Sequence, residues 1–366
     1  MTPAVQFLSF KPMLGYGTTE MRCVQPAAYL RAAGWATETG YLYDTMPRAS
    51  QVAVFHRVPD DPVSRSAEAL ARQAGCRIVY DLDDLIFEPL DSGAAGDWQS
   101  HRRAIERADV VTVSTPFLKD RIDAFHRNCV VVENGLSDAI VARAALAPDQ
   151  PDKSGVTLAY LSGSAHHDAD FALIEDALCA IMTENPDVRL CLMGKLRFSD
   201  RFHQFGDRFQ YRPFVPYAQF IDVLRTVDIN LVPLDTRSDF AQARSALKFI
   251  EAAAFGVPTV ASPTRTYAEA IEPGRTGLLA NDAEWHGALS ALVQNSQKRR
   301  SLGMAARDAV MKRNGPDAMQ RLWETQMRAW TAMPNPPVSS GGHMASLRHR
   351  GLLARAALGR QLRRFR

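Results

Sequence analysis

A lysine and a glutamate placed three residues apart, at the start of an apolar stretch, are the residues of this sequence best suited to bind a charged ligand. Lys248 and Glu251 are the only charged residues in the stretch 246–255, which reads as a helix, and they share one helical face. Ser245 is placed to cap this helix and Gly256 to end it. Because a helix N-terminus attracts phosphate through its free amides and its dipole, we predict that Ser245 and Lys248 meet a nucleotide diphosphate. Glu251, one turn further on, can accept hydrogen bonds from two ribose hydroxyls.

The alternative for Lys248 and Glu251 is an ion pair between neighbours on a solvated helix face. Alanine and phenylalanine surround Glu251 in the sequence, and a helix that is apolar on all sides is normally buried. A buried carboxylate needs a reason, so the surroundings favour a ligand site over a surface ion pair.

Alternating strands and helices of the Rossmann type are predicted on both sides of one linker. Apolar runs that read as buried strands are found in two series, at 5–10, 51–56, 77–84, 109–114 and 129–133, and at 156–163, 189–194, 227–233 and 259–261. A segment rich in proline, aspartate and lysine, 145–155, separates the two series. The sequence therefore predicts an α/β protein with two Rossmann-like domains that face one another across a cleft. We place the first domain at 1–148, the second at 149–315, a returning helix at 316–333 and a spacer with a basic tail at 334–366.

Small-residue loops follow the first strand of each series, where ligands of parallel sheets bind. Gly15 and Gly17 lie in the first loop, although they do not form a GxGxxG motif. Gly163 and Ser164 lie in the second loop, and His167 follows them. His167 is either a hydrogen-bonding group near a ligand or a helix cap.

Three carboxylates follow the strand at 77–84: Asp81, Asp83 and Asp84. They are either metal ligands or residues that organise a loop and cap a helix. No second acidic cluster accompanies them, so we expect a loop-organising role and no metal.

Composition indicates a cytoplasmic globular protein. The 366 residues are 46% hydrophobic and 23% charged, and the five cysteines contain no CxxC pair, which predicts reduced thiols. The amino terminus lacks the pattern of an export signal, and no run of about 18 apolar residues is present to span a membrane.

The carboxyl-terminal segment is strongly basic. Eight arginines and no acidic residue follow Glu324. Their eight positive charges exceed the net charge of +3, so the rest of the chain is acidic. Leucines alternate with arginines over 347–366, a pattern that is typical of an amphipathic helix on anionic lipid. If the segment binds lipid, we expect the protein to be peripheral on the inner face of a membrane. The alternative is a disordered basic tail. No aromatic interleaving accompanies the arginines, so we expect no nucleic-acid partner.

Several motifs, in this order, resemble those of retaining glycosyltransferases of the family-4 type. They are YDLDDLIFEP, ADVVTVSTPFL, VVENGLS, SGSAHHDADF, DINLVPL, SALKFIEAAAFGVPTVAS, the following Tyr267 and Glu269, GRTGLL and the pair Glu284–Trp285. The resemblance covers most of residues 1–330. It implies the GT-B fold and transfer of a sugar from a nucleoside diphosphate sugar to a hydroxyl of a glycan or lipid-linked acceptor, with retention of configuration and no required metal cofactor.

The resemblance also assigns residues on the donor side. Positions that match Ser245, Leu247 and Lys248 meet the diphosphate, the position of Glu251 holds ribose, and the loop with Gly163 and Ser164 lies beside the donor. Many members of the family carry a second glutamate eight residues before Glu251. Here that position is Ala243, so either Gln242 or Asp239 contacts the sugar, or donor recognition differs. For a second cation beside the leaving group we predict Lys195, with Arg244 behind it.

On the acceptor side, Gly15, Gly17 and Arg22 are expected to line the site, with Asp83 or Asp84 as polar contacts or as the proton acceptor. Lys248, Lys195, His167 and Asp83 are thus the predicted catalytic residues. Two other interpretations remain open at this stage: a sugar-nucleotide epimerase of the same architecture, and a non-enzymatic protein that binds a nucleotide sugar.

Overall fold

The computed structural model describes residues 4–13, 17–89, 97–146, 155–162, 168–215, 217–334 and 349–355. The chain divides into two compact units. Unit 1 comprises Met1–Asn134 together with Asp317–Arg366, and unit 2 comprises Gly135–Pro316. The first segment of unit 1 therefore ends 14 residues before the predicted domain boundary at residue 148.

Unit 1 contains a six-stranded parallel sheet. Its strands are β1 (Ala4–Ser9), β2 (Ala36–Tyr41), β3 (Val52–His56), β4 (Arg77–Leu82), β5 (Val110–Val113) and β6 (Cys129–Val131). Their order in the sheet is β2-β1-β3-β4-β5-β6. The order reverses between β1 and β3, and ligands of such sheets bind beyond the carboxyl ends of the strands at this reversal.

The helices of unit 1 follow the predicted alternation. They are α1 (Gly17–Thr19), a π-helical turn (Glu20–Val24), α2 (Gln25–Ala32), α3 (Pro62–Gln73), α4 (Trp98–Arg107) and α5 (Pro116–Asp123). The start of α5 is as the sequence predicts, because the Thr115 side chain accepts a hydrogen bond from the amide of Leu118 and Pro116 occupies the first turn.

The long helix α15 (Pro316–Ala332) supplies part of the core of unit 1. Its Trp323 is buried and packs edge-to-face on Phe7 of β1, with ring centroids 5.8 Å apart. The ring of Trp330 lies 6.4 Å from that of Trp323 and is also buried. Large aromatic rings bury much apolar area, so this returning helix stabilises the amino-terminal sheet.

Unit 2 contains a second six-stranded parallel sheet. Its strands are β7 (Val156–Leu161), β8 (Val188–Met193), β9 (Phe209–Arg212), β10 (Ile229–Val232), β11 (Thr259–Ala261) and β12 (Leu278–Leu279). The order is β12-β11-β10-β7-β8-β9, so the reversal lies between β7 and β10. The helices are α6 (Asp138–Ala145), α7 (Asp168–Ala172), α8 (Glu175–Glu184), a 3₁₀ segment (Asp200–Arg208), α9 (Tyr217–Leu224), α10 (Asp239–Gln242), α11 (Leu247–Ala254), α12 (Arg265–Ala270), α13 (Trp285–Val293) and α14 (Ser296–Asn314).

Both faces of this second sheet are buried, as the nearly continuous apolar strands predict. Alternate residues of β7 enter different cores: Leu158 and Tyr160 join one with α8 and α13, while Ala159 and Leu161 join the other with α11. Packing also explains why the unit boundary precedes the predicted one. Ile140 and Ala144 of α6 lie in the same core as α11, so α6 belongs to unit 2.

The helix α11 is fixed at both ends. Asn230 of β10 donates a hydrogen bond of 3.2 Å to the carbonyl of Lys248, and Gly256 ends the helix with a positive φ of 67°. Gly303 of α14 packs against that end so closely that a Cβ there would lie 1.8 Å from the Gly256 carbonyl oxygen. The start of the helix differs by one residue from the prediction: the helix begins at Leu247, Ala246 occupies the N-cap position, and Ser245 directly precedes it.

All five cysteines are free thiols, and four of them are buried. Among the residues that the structure describes, no helix combines the length and the apolar character needed to cross a bilayer. Of the basic tail, residues 349–355 are helical, and the rest of 335–366 lies outside the described residues.

Candidate functional site

Lys248 lies at the reversal of the second sheet, in the first turn of α11. Its Nζ lies 4.5 Å from the centroid of the Tyr160 ring of β7, which is a cation–π contact. Burial and the positive charge of Arg244 together lower the pKa of Lys248 to about 7, although Asp170 and Glu251 oppose the shift. The ammonium is therefore held in a site that an anion would stabilise.

Glu251 lies one turn further along α11 and is 3% exposed. Tyr217 of α9 donates a hydrogen bond of 2.6 Å to its Oε1. Burial raises the pKa of Glu251 to about 7, against the opposing effects of Tyr217 and Lys248. The charges of Lys248 and Glu251 act on one another, but Glu251 is buried, so the surface ion pair considered from the sequence is not what the structure contains.

Arg244 is the second cation of this group. It lies over the ring of Phe240 at 5.0 Å, and its charge acts on Lys248. Its Nε is buried without a hydrogen-bond partner, as is the hydroxyl of Tyr160 beneath Lys248. Buried donors normally have partners, so these two atoms mark a place where a ligand can supply acceptors.

The structure distributes the remaining predicted donor residues differently. Leu247 is the first residue of α11. Lys195 is exposed just after β8 and makes no hydrogen bond or ion pair with the other described residues, so it is not brought into the group around Lys248. Gly163, Ser164 and His167 lie outside the described residues.

Ala243, where the resemblance implies a glutamate, is completely buried. Of the two proposed substitutes, Gln242 makes two hydrogen bonds within the protein. Its Nε2 donates to the carbonyl of Thr236 at 2.7 Å, and its Oε1 accepts from the amide of Arg265 at 3.0 Å. Asp239, the other candidate for contact with the sugar, is the first residue of α10.

A second polar group lies at the reversal of the first sheet. Asp83, which follows β4, accepts hydrogen bonds from the hydroxyl of Thr18 at 3.0 and 2.9 Å and from Nε of Arg57 at 2.5 Å. Asp84 pairs with the other end of the same guanidinium. Arg57 has a positive φ of 51°, which is uncommon for a residue other than glycine. These carboxylates bind a guanidinium, in line with the loop-organising role, and no group of metal-ligating side chains converges within the described parts of the chain.

The predicted role of Arg22 on the acceptor side is wrong. Its side chain is completely buried and binds Asp81 through Nε at 3.1 Å and Nη2 at 2.6 Å. Its Nη1 donates to the carbonyl of Val132 and to Asn134. Arg22 therefore supports the sheet edge from inside. Gly17 has open space around its Cα, and Gly15 lies outside the described residues.

Sequence reasoning missed four residues of these two groups: Thr18, His56, Arg57 and Tyr217. His56 and Arg57 end a strand that was predicted, so their position beyond its carboxyl end was the available signal. Tyr217 lies 34 residues before Glu251, and no local pattern connects them.

Two Rossmann-like units with these sheet orders define the GT-B fold of glycosyltransferases, and the comparisons with known proteins agree. Residues 174–325 match the family model described as "Glycosyl transferase-like". That segment begins just before α8 and ends within α15, so it includes Lys248 and Glu251. No curated protein sequence matches the chain.

Solved structures resemble the chain over nearly its whole length. Sucrose-phosphate synthase from Thermosynechococcus elongatus is 14% identical, with a TM-score of 0.64 over 90% of this chain and 99% of that one. HepE from Anabaena, solved with UDP-glucose, is 15% identical, with a TM-score of 0.62 over 89% and 99%. A glycosyltransferase from Rickettsia africae is 12% identical, with a TM-score of 0.63 over 91% and 100%. At such identities the likeness establishes the fold. Together with the family match, it supports a glycosyltransferase enzyme.

Proposed function

We propose that this protein transfers a sugar from a nucleoside diphosphate sugar to an acceptor hydroxyl with retention of anomeric configuration. The observation that carries the proposal is the pair on α11: a partly buried ammonium and a buried carboxylate one turn apart, each of whose charged forms burial disfavours. A buried charge is costly, and a ligand with an anionic group and a diol compensates both.

The leaving group is the nucleoside diphosphate. When the bond from the anomeric carbon breaks, the bonding electron pair stays on the phosphate oxygen, and negative charge grows there. Lys248, Arg244 and the first amides of α11 are placed to stabilise that charge. Glu251 then accepts hydrogen bonds from the ribose hydroxyls. UDP is the first nucleotide to test, since HepE was solved with UDP-glucose.

Retention requires the acceptor hydroxyl to approach from the side that the leaving group vacates, and no protein nucleophile is needed for this. The acceptor, a glycan or lipid-linked hydroxyl, is assigned to unit 1, where Asp83 and Asp84 lie at the reversal of the sheet. Among these, Asp83 is the proposed contact to the reacting hydroxyl.

Because two cations and helix amides supply the positive charge at the diphosphate, we propose that transfer needs no metal cofactor. Turnover in EDTA should equal turnover in buffer. Loss of turnover in EDTA that magnesium restores would contradict this part of the proposal.

A panel of UDP, GDP, ADP and TDP in a thermal-shift assay identifies the donor base, because a ligand at 100 times its Kd stabilises by about 2.7 kcal/mol. Transfer is then measured with the matching sugar donors, and the anomeric configuration of the product is read by NMR. Release of the nucleotide only when an acceptor is present supports the proposal. Interconversion of the donor sugar without acceptor would instead indicate an epimerase. Nucleotide binding without any turnover would indicate a binding protein.

A further inference from the structure

A chain of hydrogen bonds crosses the reversal of the first sheet and ends at Asp83. Nδ1 of His56 lies 2.8 Å from Oδ1 of Asp81, and Nε2 of His56 lies 2.9 Å from Oγ1 of Thr18. The Thr18 hydroxyl in turn lies 3.0 and 2.9 Å from the two oxygens of Asp83. His56 ends β3, and Thr18 lies in α1, which follows β1, so the chain bridges the two strands where ligands of such sheets bind.

The Asp81 end of this chain is fixed as an acceptor. Asp81 is completely buried and also accepts hydrogen bonds from Arg22 and from the Thr112 hydroxyl at 2.6 Å. Burial alone would raise its pKa, but the charge of Arg22 and the hydrogen bond from His56 hold the pKa of Asp81 below its usual range. Asp81 has no proton to donate, so Nδ1 of His56 carries one.

At the other end of the chain, the Thr18 hydroxyl has a single proton, which it can donate either to His56 or to Asp83. When His56 is neutral, Thr18 donates that proton to Nε2. When His56 is charged, Nε2 donates to Thr18, and Thr18 donates to Asp83. The Thr18 hydroxyl lies within hydrogen-bond distance of both Asp83 and His56, so a proton can pass between them through Thr18 without movement of the backbone.

The charged groups around His56 include one more carboxylate than guanidinium. Two guanidinium groups, Arg22 and Arg57, face three carboxylates, Asp81, Asp83 and Asp84. The cluster is therefore singly negative when His56 is neutral and uncharged when His56 is protonated. Cys23, Tyr80 and His101 lie beside the cluster. Burial raises the pKa of the Cys23 thiol and of the Tyr80 hydroxyl well above their ordinary values, and burial lowers the pKa of His101 to about 4, so all three stay neutral at neutral pH.

Asp83 by itself is a weak base. Burial would raise its pKa, but Arg57, His56 and Arg22 lower it below the ordinary value. The imidazole of His56, two hydrogen bonds away, is the other nitrogen or oxygen base on this chain of hydrogen bonds.

We propose that Thr18 and His56 form a proton relay that takes the proton of the acceptor hydroxyl from Asp83 during transfer. The inference rests on the proposed function. The O–H bond of the acceptor breaks as its oxygen bonds to the anomeric carbon, and the leaving diphosphate keeps the electron pair of its bond. The proton passes to Asp83, a proton passes from Asp83 to Thr18, and the Thr18 proton passes to Nε2 of His56. The cluster changes from singly negative to neutral, and Asp83 is again a carboxylate.

Asp83 is the catalytic residue in this scheme, and Thr18 and His56 are positioning residues that act through it. The test compares the full chain with His56→Gln, Thr18→Val and Thr18→Ser, in transfer and in nucleotide binding. His56→Gln and Thr18→Val should lower kcat about 100-fold or more, the size of a lost general-base contribution. Thr18→Ser keeps the hydroxyl and should keep most of the rate. Nucleotide affinity should not change in any of the three, because Lys248 and Glu251 belong to the other unit.

The pH profile separates a relay from a structural role. His56→Gln should change the pH profile of the wild-type rate and remain slow at every pH. His126→Gln is the matched control, since His126 is also a partly buried histidine of unit 1, hydrogen-bonded to the carbonyl of Ala108, and should keep the wild-type profile. Circular dichroism confirms that each variant is folded.

The outcomes are distinguishable. If the wild-type protein binds a nucleotide but transfers no sugar, the proposed function fails and the relay fails with it. If the wild-type protein transfers sugar and folded His56→Gln shows the same rate and the same pH profile, the relay alone is wrong. A Thr18→Ser variant as slow as Thr18→Val would also overturn it, because the hydroxyl would then be irrelevant.

Discussion

The hydroxyl of Tyr217 donates a hydrogen bond of 2.6 Å to Oε1 of Glu251, from a helix 34 residues earlier in the chain. A ribose that binds Glu251 must therefore use Oε2 or displace the tyrosine. The hydrogen bond also stabilises the carboxylate, which burial otherwise disfavours. Tyr217 thus favours the ionised form of Glu251.

Nucleotide affinity should have a maximum near pH 7. The pKa of Glu251 is raised to about 7, so acidification protonates the carboxylate that accepts the ribose hydroxyls. The pKa of Lys248 is lowered to about 7, so alkaline pH removes the ammonium that meets the diphosphate. Isothermal titration calorimetry with UDP at several pH values, or with the nucleotide that the panel selects, measures both limbs.

Single substitutions should separate the two limbs. Lys248→Met should leave only the rise in affinity through the titration of Glu251, and Glu251→Gln only the fall through the titration of Lys248. Tyr217→Phe removes a hydrogen bond that lowers the pKa of Glu251, so its acid limb should move to higher pH. An affinity that is flat from pH 5 to pH 9 would show that neither group meets the ligand.

Glu251→Gln should stabilise the protein at alkaline pH. The folded pKa of about 7 exceeds the ordinary value of 4.5, so the protonated form favours folding, and this stability is lost as the pH rises through 7. At pH 8 the buried carboxylate costs roughly 3 kcal/mol, and at pH 5 less than about 1 kcal/mol. Urea unfolding at the two pH values measures the difference. A carboxylate with a purely structural role predicts the opposite result, destabilisation at pH 8.

Arg244, and not Lys195, should be the second cation at the diphosphate. A hydrogen bond to a charged group contributes about 1.5–3 kcal/mol, so Arg244→Gln should weaken UDP binding about 10- to 100-fold. Its affinity for uridine, which has no phosphate, should not change. Lys195→Gln is the matched control and should change UDP affinity only slightly, because Lys195 is exposed and has no contact with Lys248. If Lys195→Gln weakened UDP binding more than Arg244→Gln did, the result would instead support the prediction from the sequence that Lys195 is the second cation.

Gly303→Ala should destabilise unit 2. A Cβ at this position would lie 1.8 Å from the carbonyl oxygen of Gly256, so α14 must move away from α11. Overpacking of this kind costs about 1–3 kcal/mol. Gly287→Ala in α13 is the control: its Cβ meets no atom within 4 Å, and alanine favours a helix, so its stability should be equal or higher. Differential scanning fluorimetry compares the two, and equal melting temperatures would contradict the close packing.

The basic tail is proposed to bind anionic membrane. The full chain should float with phosphatidylserine vesicles, and a chain that ends at Pro334 should not, since each arginine near such a surface contributes about 1 kcal/mol. Neutral vesicles are the control. Equal flotation of both chains would remove the membrane proposal.

The sequence by itself determined the parts of the fold that are buried on both faces. Strands such as β3 and β7 are apolar runs because parallel strands are covered on both sides, and they were predicted within one or two residues. The three strands that were missed, β2, β9 and β12, all lie at sheet edges, and most residues of β9 are exposed. An edge strand has one neighbour and need not be apolar, so its sequence carries little signal.

The sequence also placed Lys248 and Glu251 on one face of a buried helix, because their spacing and apolar neighbours are local properties. Only the tertiary structure decided which groups meet them. Arg22 binds Asp81 59 residues away, and Tyr217 meets Glu251 across 34 residues. Sheet order sets such contacts, since it brings the carboxyl ends of distant strands to one edge, and no local periodicity records that order.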